Sequence, residues 1–572
     1  MPEVFYVQRG KKKYAYTSTS VYEPGNKYPK TVNEYIGVLD ETTGKIIPKK
    51  NRVSADKILD DETLIGRRFG GSYVLLDIAE RIGLREDLFR SYGPTGDRIL
   101  ACAVAQALSG GPFSSVEDTV DGCLIRELQG IGGSFASPRM SELTQDLGAS
   151  FGSLEELFGM RLKRTNDTLS YDLTSASSNS HLKEWAEWGH NRDNEKMRQM
   201  NVGLVTDRYG VPAMFELYPG SISDIRTLER TVERVTELKG SPCTLVMDRG
   251  FGSASNLRYM LEHDISFVIP GKKGTKCVKS LMSTLVRKKQ HADGLMIHDK
   301  NAYSVYASKV AVVNKMRAED PDEDSNDTTE FELVLPDDPR FADIPKEMVM
   351  DAYACYDPKK AADDMNSSFE AITNIEKKLN DMNPYSAIRD VKKVAGPYAR
   401  YFDLSVDDDG KLKIERRKNS LSFSMNRNGM FVMFCKGIDS WEDMMSCYDC
   451  RTYVEQAFDA LKNELDGNRW RVSDPMTAKG RLVIKFVSLI LWCTVSKMLR
   501  EGNSREPVRT ALQSLDNIYA VGCNEQWRVL EITKRNRNLM ELFDVNQPEK
   551  RLELKEHPYI PQSMIDEAFS DD

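Results

Sequence analysis

Hydrophobic and polar positions change rhythm along the chain, and each change marks a candidate element. Residues 1–53 carry β-formers, often alternating with polar residues, in VFYVQ, YAYTSTSV and YIGVLD, with turn residues in GNKYPK and DETTGK. That period of two predicts a small β unit. Residues 72–160 place apolar side chains at helical spacing in SYVLLDIAERIGL, RILACAVAQALSG and SLEELFGMRLKR, which predicts a helical region. From about residue 166 strands return. TLSYDLTSAS predicts a strand ending near Asp172, and MNVGLVTD with VPAMFELYPG predicts a hairpin turned at Asp207-Arg208-Tyr209-Gly210. A helix over 222–238, a short strand CTLVMD ending at Asp248, a helix GSASNLRYMLEH and a strand ISFVIP follow. The order β-β-β-α-β-α-β predicts a mixed sheet carrying helices.

The pattern then loses its sheet. Residues 271–428 read as a large insertion, with a helix over about 358–382 and strands around 400–425. GMFVMF at 429–434 resumes the sheet, and a long helix starts near Ser440. The most apolar stretch, Phe486–Val495, is too short for the roughly 20 apolar residues of a membrane span and reads as a buried helix over 482–499. The expected domains are a basic β segment at 1–54, a helical domain at 55–162, an α/β core at 163–480 interrupted by the insertion, and a helical segment and tail at 481–572. A chain of 572 residues is too long for one core and fits this division.

Charge qualifies the picture. The formal net of -8 argues at first against a nucleic-acid partner. It is, however, an average over an uneven chain. Residues 1–53 hold ten basic and five acidic residues, and 272–289 hold seven basic residues and no acid. Residues 319–338 hold ten acids and no Lys or Arg, so the acidic excess is local. Ten cysteines without framework spacing, and no visible signal peptide, predict reduced thiols in a cytoplasmic protein.

Candidate chemistry lies on the predicted sheet. Asp172 and Asp248 each stand at a strand end, where open α/β sheets collect their chemistry. Carboxylates from neighbouring strands can share a hard divalent ion, although aspartate also caps helices and ends strands without any such role. The helix after GMFVMF carries Tyr448, Arg451, Glu455 and Lys462. At about 100° per residue these four lie within a stripe about 60° wide, beside an apolar stripe of Val454, Phe458, Leu461 and Leu465. Arg and Lys can hold phosphates, and Tyr can bond a phosphate or stack on a base. A solvated face of paired charges would look the same. Cys447 and Cys450 make a lone CxxC, a poor zinc case; His181 and His190 lack ligand-like partners; and the glycine-rich GGPF and GIGGSF lack a P-loop lysine, so no ATP site is expected.

Tyr448-x2-Arg451-x3-Glu455-x6-Lys462 resembles, position for position, the Y-R-E-K signature of a large group of insertion-sequence transposases of the DDE superfamily. Asp248-Arg249-Gly250-Phe251 is similar to the context of the family's second aspartate, and Asp172 to its first. The Phe215…Pro219-Gly220…Ser223 hairpin end and a β-rich insertion between Asp248 and Glu455 also fit. The resemblance covers about 165–495 and implies a ribonuclease H-like core.

It further implies a catalytic triad of Asp172, Asp248 and Glu455 holding two Mg²⁺ (or Mn²⁺) ions about 4 Å apart, which needs carboxylates within roughly 8 Å of one another. The implied reaction is cleavage at the element's ends and joining of 3′ ends to target DNA, with no covalent protein intermediate. Tyr448, Arg451, Lys462 and Arg249 would contact DNA phosphates. The implied partners are the double-stranded terminal inverted repeats and target DNA, bound by a homodimer, with DNA contacts also expected from residues 1–160 and 272–289. A metal-dependent nuclease on the same fold, or a decayed DNA-binding relic, would share these residues.

Overall fold

The computed structural model describes residues 3–9, 12–21, 30–39, 46–48, 65–178, 186–187, 197–222, 224–288, 292–315, 330–407, 409–523, 526–552, 554 and 559–561. His181, His190 and the acidic stretch 319–327 lie outside them. Two compact units result: Met1–Gly66 with Val521–Arg528, and Arg67–Ala520 with Val529–Asp572.

The first unit contains an antiparallel sheet of Glu3–Arg9, Lys12–Val21, Lys30–Leu39 and Ile46–Pro48, in sequence order. Tyr16 lies between Phe5 and Tyr35, with ring centroids 5.7 and 5.4 Å away, the cross-strand aromatic pairing that steadies such sheets.

The second unit opens with helices, among them Gly70–Arg81, Leu84–Tyr92, Thr95–Ser109, Ser137–Ala149 and Phe151–Lys163. Their buried charges are matched. Arg85 binds Asp97 through two hydrogen bonds, and Asp87 accepts from Arg161 and Arg164. The helix Ser137–Ala149 crosses the long helix Pro475–Glu501 at two glycines. A Cβ on Gly148 would stand 1.9 Å from the Met476 carbonyl oxygen, and one on Gly480 1.8 Å from that of Thr144, so only glycine permits this approach. The long helix is 27 residues, longer than its apolar stretch predicts. By length and composition it could cross a membrane, but 83% of its most apolar window is buried inside the protein, as befits a core helix.

The sheet at the centre is built from β1 (Thr168–Ser178), β2 (Arg198–Asp207), β3 (Pro212–Pro219), β4 (Thr244–Met247) and β5 (Ser266–Pro270), with helices α1 (Asp224–Lys239) and α2 (Ala254–Glu262) between the later strands. Their order in space is β3-β2-β1-β4-β5. The first three are antiparallel neighbours, and β4 and β5 run parallel to β1. This is the ribonuclease H-like arrangement. β1 is buried along almost its whole length, as a strand covered on both faces must be.

The expectation that the sheet stops after residue 270 is corrected. After α3 (Lys276–Lys288), strands β6 (Leu295–His298), β7 (Asn301–Asn314), β8 (Phe331–Val334) and β9 (Val349–Tyr356) join the same sheet. β12 (Met430–Lys436), counted after the hairpin β10 (Phe402–Val406) and β11 (Leu412–Arg416), lies between β5 and β9 and pairs antiparallel with both. With Arg469–Trp470, which pairs in parallel with the end of β1, the sheet has eleven strands among the described residues. What leaves it is shorter: α4 (Pro358–Asn380), α5 (Ile388–Ala395) and the β10–β11 hairpin close over their own small core, which includes Ile372, Leu379, Val391, Tyr401 and Phe402.

Candidate active site

β1 and β4 bring the two aspartates level. The parallel ladder runs from Thr168 opposite Thr244 to Tyr171 opposite Met247, and the next residues are Asp172 and Asp248. Neighbouring strands lie about 4.8 Å apart, so the two carboxylates start from adjacent backbone positions. Asp172 does not end its strand as expected, because β1 continues to Ser178, held by β2 along its full length. Asp248 does end β4.

The face they share follows from the period of two. Val246 lies two residues before Asp248 and packs with Trp441, Met444 and Met445. Side chains at i and i+2 point to one face, so Asp248 and its register partner face α6 (Trp441–Asp449). Tyr171 faces the other way, its hydroxyl donating to Thr227 of α1. Trp441 anchors α6 to the sheet by burial and by an indole N–H that donates to Cys355 Sγ at 3.3 Å.

The Asp-Arg-Gly-Phe stretch has a local reason. Asp248 Oδ1 accepts from the Arg249 backbone N–H at 2.7 Å and caps a short 3₁₀ turn over Arg249–Phe251. Phe251 is fully buried, its ring 5.0 Å from that of Tyr171. The turn leaves Arg249 exposed. Its charge, with that of Lys360, acts on Lys273, whose pKa falls below the usual lysine value first through desolvation and then, against the pull of Asp364, through these two cations. The start of the basic run thus stands near Arg249, and Lys360 is a cation that the sequence pattern did not single out.

α6 passes at Cys450 into α7 (Arg451–Asp459), which packs on β1. Arg451 is the hub of this corner. Its Nη1 donates to the Tyr448 hydroxyl at 3.2 Å and its Nη2 to Glu455 Oε1 at 2.6 Å, while Nη2 stands 3.4 Å from Asp248 Oδ1. Since one nitrogen reaches both carboxylates, Asp248 Oδ1 and Glu455 Oε1 are at most 6.0 Å apart, the two distances laid end to end. Burial lowers the Arg451 pKa, but Tyr448, Asp248 and Glu455 outweigh it and hold the guanidinium above its ordinary value. Burial raises the Tyr448 phenol, partly offset by Arg451.

Lys462 departs from the expected wheel. Residues Ala460–Glu464 form a π turn, with the Leu465 N–H donating to the Ala460 carbonyl five residues back. The regular 3.6-residue advance therefore does not carry Lys462 onto the stripe of Arg451 and Glu455. π turns inside helices recur at functional sites. Cys447 and Cys450 are free thiols, and burial raises both.

Among the described residues no three His, Cys, Asp or Glu side chains cluster tightly enough to hold one ion. The donor chemistry nevertheless suits a hard divalent cation. All three candidates offer oxygen, and the positive charge between Asp248 and Glu455 is supplied by the Arg451 guanidinium.

Residues 163–491 match the family described as "Transposase DDE domain", which is more than half of the chain, and the chain belongs to that family. No curated protein matches it. Among solved structures, the piggyBac transposase synaptic complex with hairpin DNA is similar over 66% of this chain and 58% of that one, at 8% identity and a TM-score of 0.30. That likeness is too loose to transfer any residue.

Proposed function

We propose that this chain is the transposase of an insertion sequence, acting in the cytoplasm on double-stranded DNA. It cuts at the element's terminal repeats and joins the freed 3′-hydroxyls to target DNA. The observation that carries this reading is the level placement of Asp172 and Asp248 on neighbouring parallel strands, with Arg451 tying Asp248 to Glu455, in a chain of the DDE family.

Asp172, Asp248 and Glu455 would hold Mg²⁺ or Mn²⁺. Such ions, when bound, supply Lewis-acid activation of the attacking oxygen and stabilise the departing one. The chain's own residues do the positioning. Strand pairing fixes Asp172, and the 3₁₀ turn fixes Asp248. Arg451 takes a DNA phosphate with Tyr448 beside it, and exposed Arg249 holds a neighbouring phosphate. Lys462 serves the same strand from the π turn. Two chains bridge two element ends, and no nucleotide hydrolysis is required.

A strand-transfer assay with Mg²⁺ and the element's terminal repeats tests this. Joined product that Asp248→Asn abolishes supports the transposase. Cleavage without joining supports a nuclease on the same fold, and binding alone supports a relic.

A further inference from the structure

Away from the triad, a cavity of about 250 Å³ opens where the segment after the π turn meets the helical region. Arg471 and Arg481 line it together with Arg469, the aromatic rings of Phe113 and Trp470, and Lys485. Arg481 and Lys485 stand one turn apart on the helix Pro475–Glu501. Two acids, Glu117 and Asp466, also line the cavity, so its wall is positive by two charges.

Neither acid compensates Arg481. Arg481 is half-buried, its Cζ 5.0 Å from the Phe113 ring centroid, and its Nε has no hydrogen-bond partner. Burial lowers its pKa, and no carboxylate offsets that fall. Asp466 is turned to Lys485, which donates to the Asp466 carbonyl oxygen at 3.0 Å and feels its carboxylate. Arg471 is exposed at the rim. A guanidinium withdrawn from water and held against a ring needs a counter-charge, and its planar fork suits a phosphate.

The cavity also has a fixed place relative to the aspartates. Arg469 and Trp470 pair in parallel with Ser177 and Ser178 at the end of β1. That end is six residues beyond Asp172, or about 20 Å at the usual rise of a strand.

We propose that this cavity is a second DNA-backbone site: Arg471 and Arg481 clasp a phosphate of the duplex away from the bond that is cut, with Phe113 packing against the guanidinium. The proposal rests on the DNA-acting reading above and extends it to residues outside the signature.

The test measures binding of a mixed-sequence duplex to the full chain across a salt series, using Asp248→Asn as the parent so that no DNA is cut. Each lost phosphate contact lowers the slope of log K against log[salt] by about 0.9. The Arg471→Ala/Arg481→Ala variant should therefore lose close to one in slope and about tenfold or more in affinity at moderate salt. Arg481→Lys should keep the slope. Because Arg481 is half-buried, Arg471→Glu at the exposed rim gives an independent reading and should weaken binding without changing the melting temperature. Unchanged slope and affinity in these variants, while the parent binds DNA, would overturn the proposal and leave the transposase reading standing. So would titration with inorganic phosphate that shows an Arg481-dependent site with no effect on DNA. A parent that binds no DNA would overturn both.

Discussion

Asp172 and Asp248 are the first residues past the last bonded pair of β1 and β4, so the two carboxylates are carried at one level by adjacent parallel strands. Nothing local enforces that pairing; it is a product of topology, since 75 residues containing a hairpin and a helix separate the two. Two like charges at neighbouring positions cost stability unless a cation balances them.

Asparagine at either position should remove divalent-ion affinity while leaving the fold intact. Asn replaces Asp at a cap almost without penalty, so Asp248→Asn should keep the 3₁₀ turn and the melting temperature. Mn²⁺ binding by calorimetry should weaken, and DNA cleavage should fall by at least about 10²-fold, the scale of losing one preorganised electrostatic contact. Asp172→Asn should behave alike. Cleavage that survives in both variants would remove these residues from the chemistry.

Arg451 should separate metal binding from DNA binding. Its guanidinium neutralises Asp248 and Glu455 where a divalent ion would otherwise do so. Both pairs are partly exposed, worth up to roughly 1 kcal/mol each after solvent screening. Arg451→Ala should therefore bind Mn²⁺ more tightly in the absence of DNA, by roughly 5- to 30-fold on that energy, and bind duplex DNA more weakly. Loss of Mn²⁺ affinity in this variant would show that Arg451 organises the carboxylates instead of competing for them.

Much of this corner was legible because it is written in short range. A cap at Asp248, the buried Phe251 and the apolar stripe of α7 are each local patterns, and the hairpin of β2 and β3 declares itself by its turn. Long-range pairing is not. The half-exposed strands β7 and β9 alternate as antiparallel strands do, yet nothing in their own residues says that they extend the core sheet through β12. The π turn was hidden for a related reason: the one-residue change in advance before Lys462 depends on how Leu461 and Leu465 bury, not on helix-forming preference. The position of Asp172 within its strand was set by pairing with β2 beyond the point where the local pattern weakens.

The glycine crossing of Ser137–Ala149 with Pro475–Glu501 should be intolerant of one methyl group. Gly480→Ala puts a carbon against the Thr144 carbonyl oxygen, and backbone on both sides leaves no side chain to move. We expect a loss of about 3 kcal/mol, at the upper end of overpacking effects, read from urea unfolding midpoints. Gly148→Ala should cost as much. Gly152→Ala, in the neighbouring helix with nothing within 4 Å of its added carbon, should be neutral or stabilise by up to about 1 kcal/mol. Equal effects at Gly480 and Gly152 would mean that the two helices do not approach this closely.

Lys485 gives the fold a pH dependence of a definite sign. Its ammonium is buried and donates to the carbonyl oxygens of Leu465 and Asp466, closing the end of the helix that carries Glu455. Burial, with Arg481 nearby, brings its pKa from 10.5 down to about 8, against the pull of Asp466. A lysine whose folded pKa lies below its unfolded one releases its proton first in the folded chain. The penalty is therefore complete below about pH 8 and fades as pH rises toward 10.5. Lys485→Met loses the two hydrogen bonds at every pH but carries no such penalty. The stability of wild type relative to Lys485→Met should thus rise with pH above about 8, by at most roughly 1.4 kcal/mol per unit. Paired urea titrations across that range measure it, and the double difference cancels the other groups that titrate there. A difference that stays flat would mean that Lys485 keeps its ordinary pKa and that its burial is relieved by solvent.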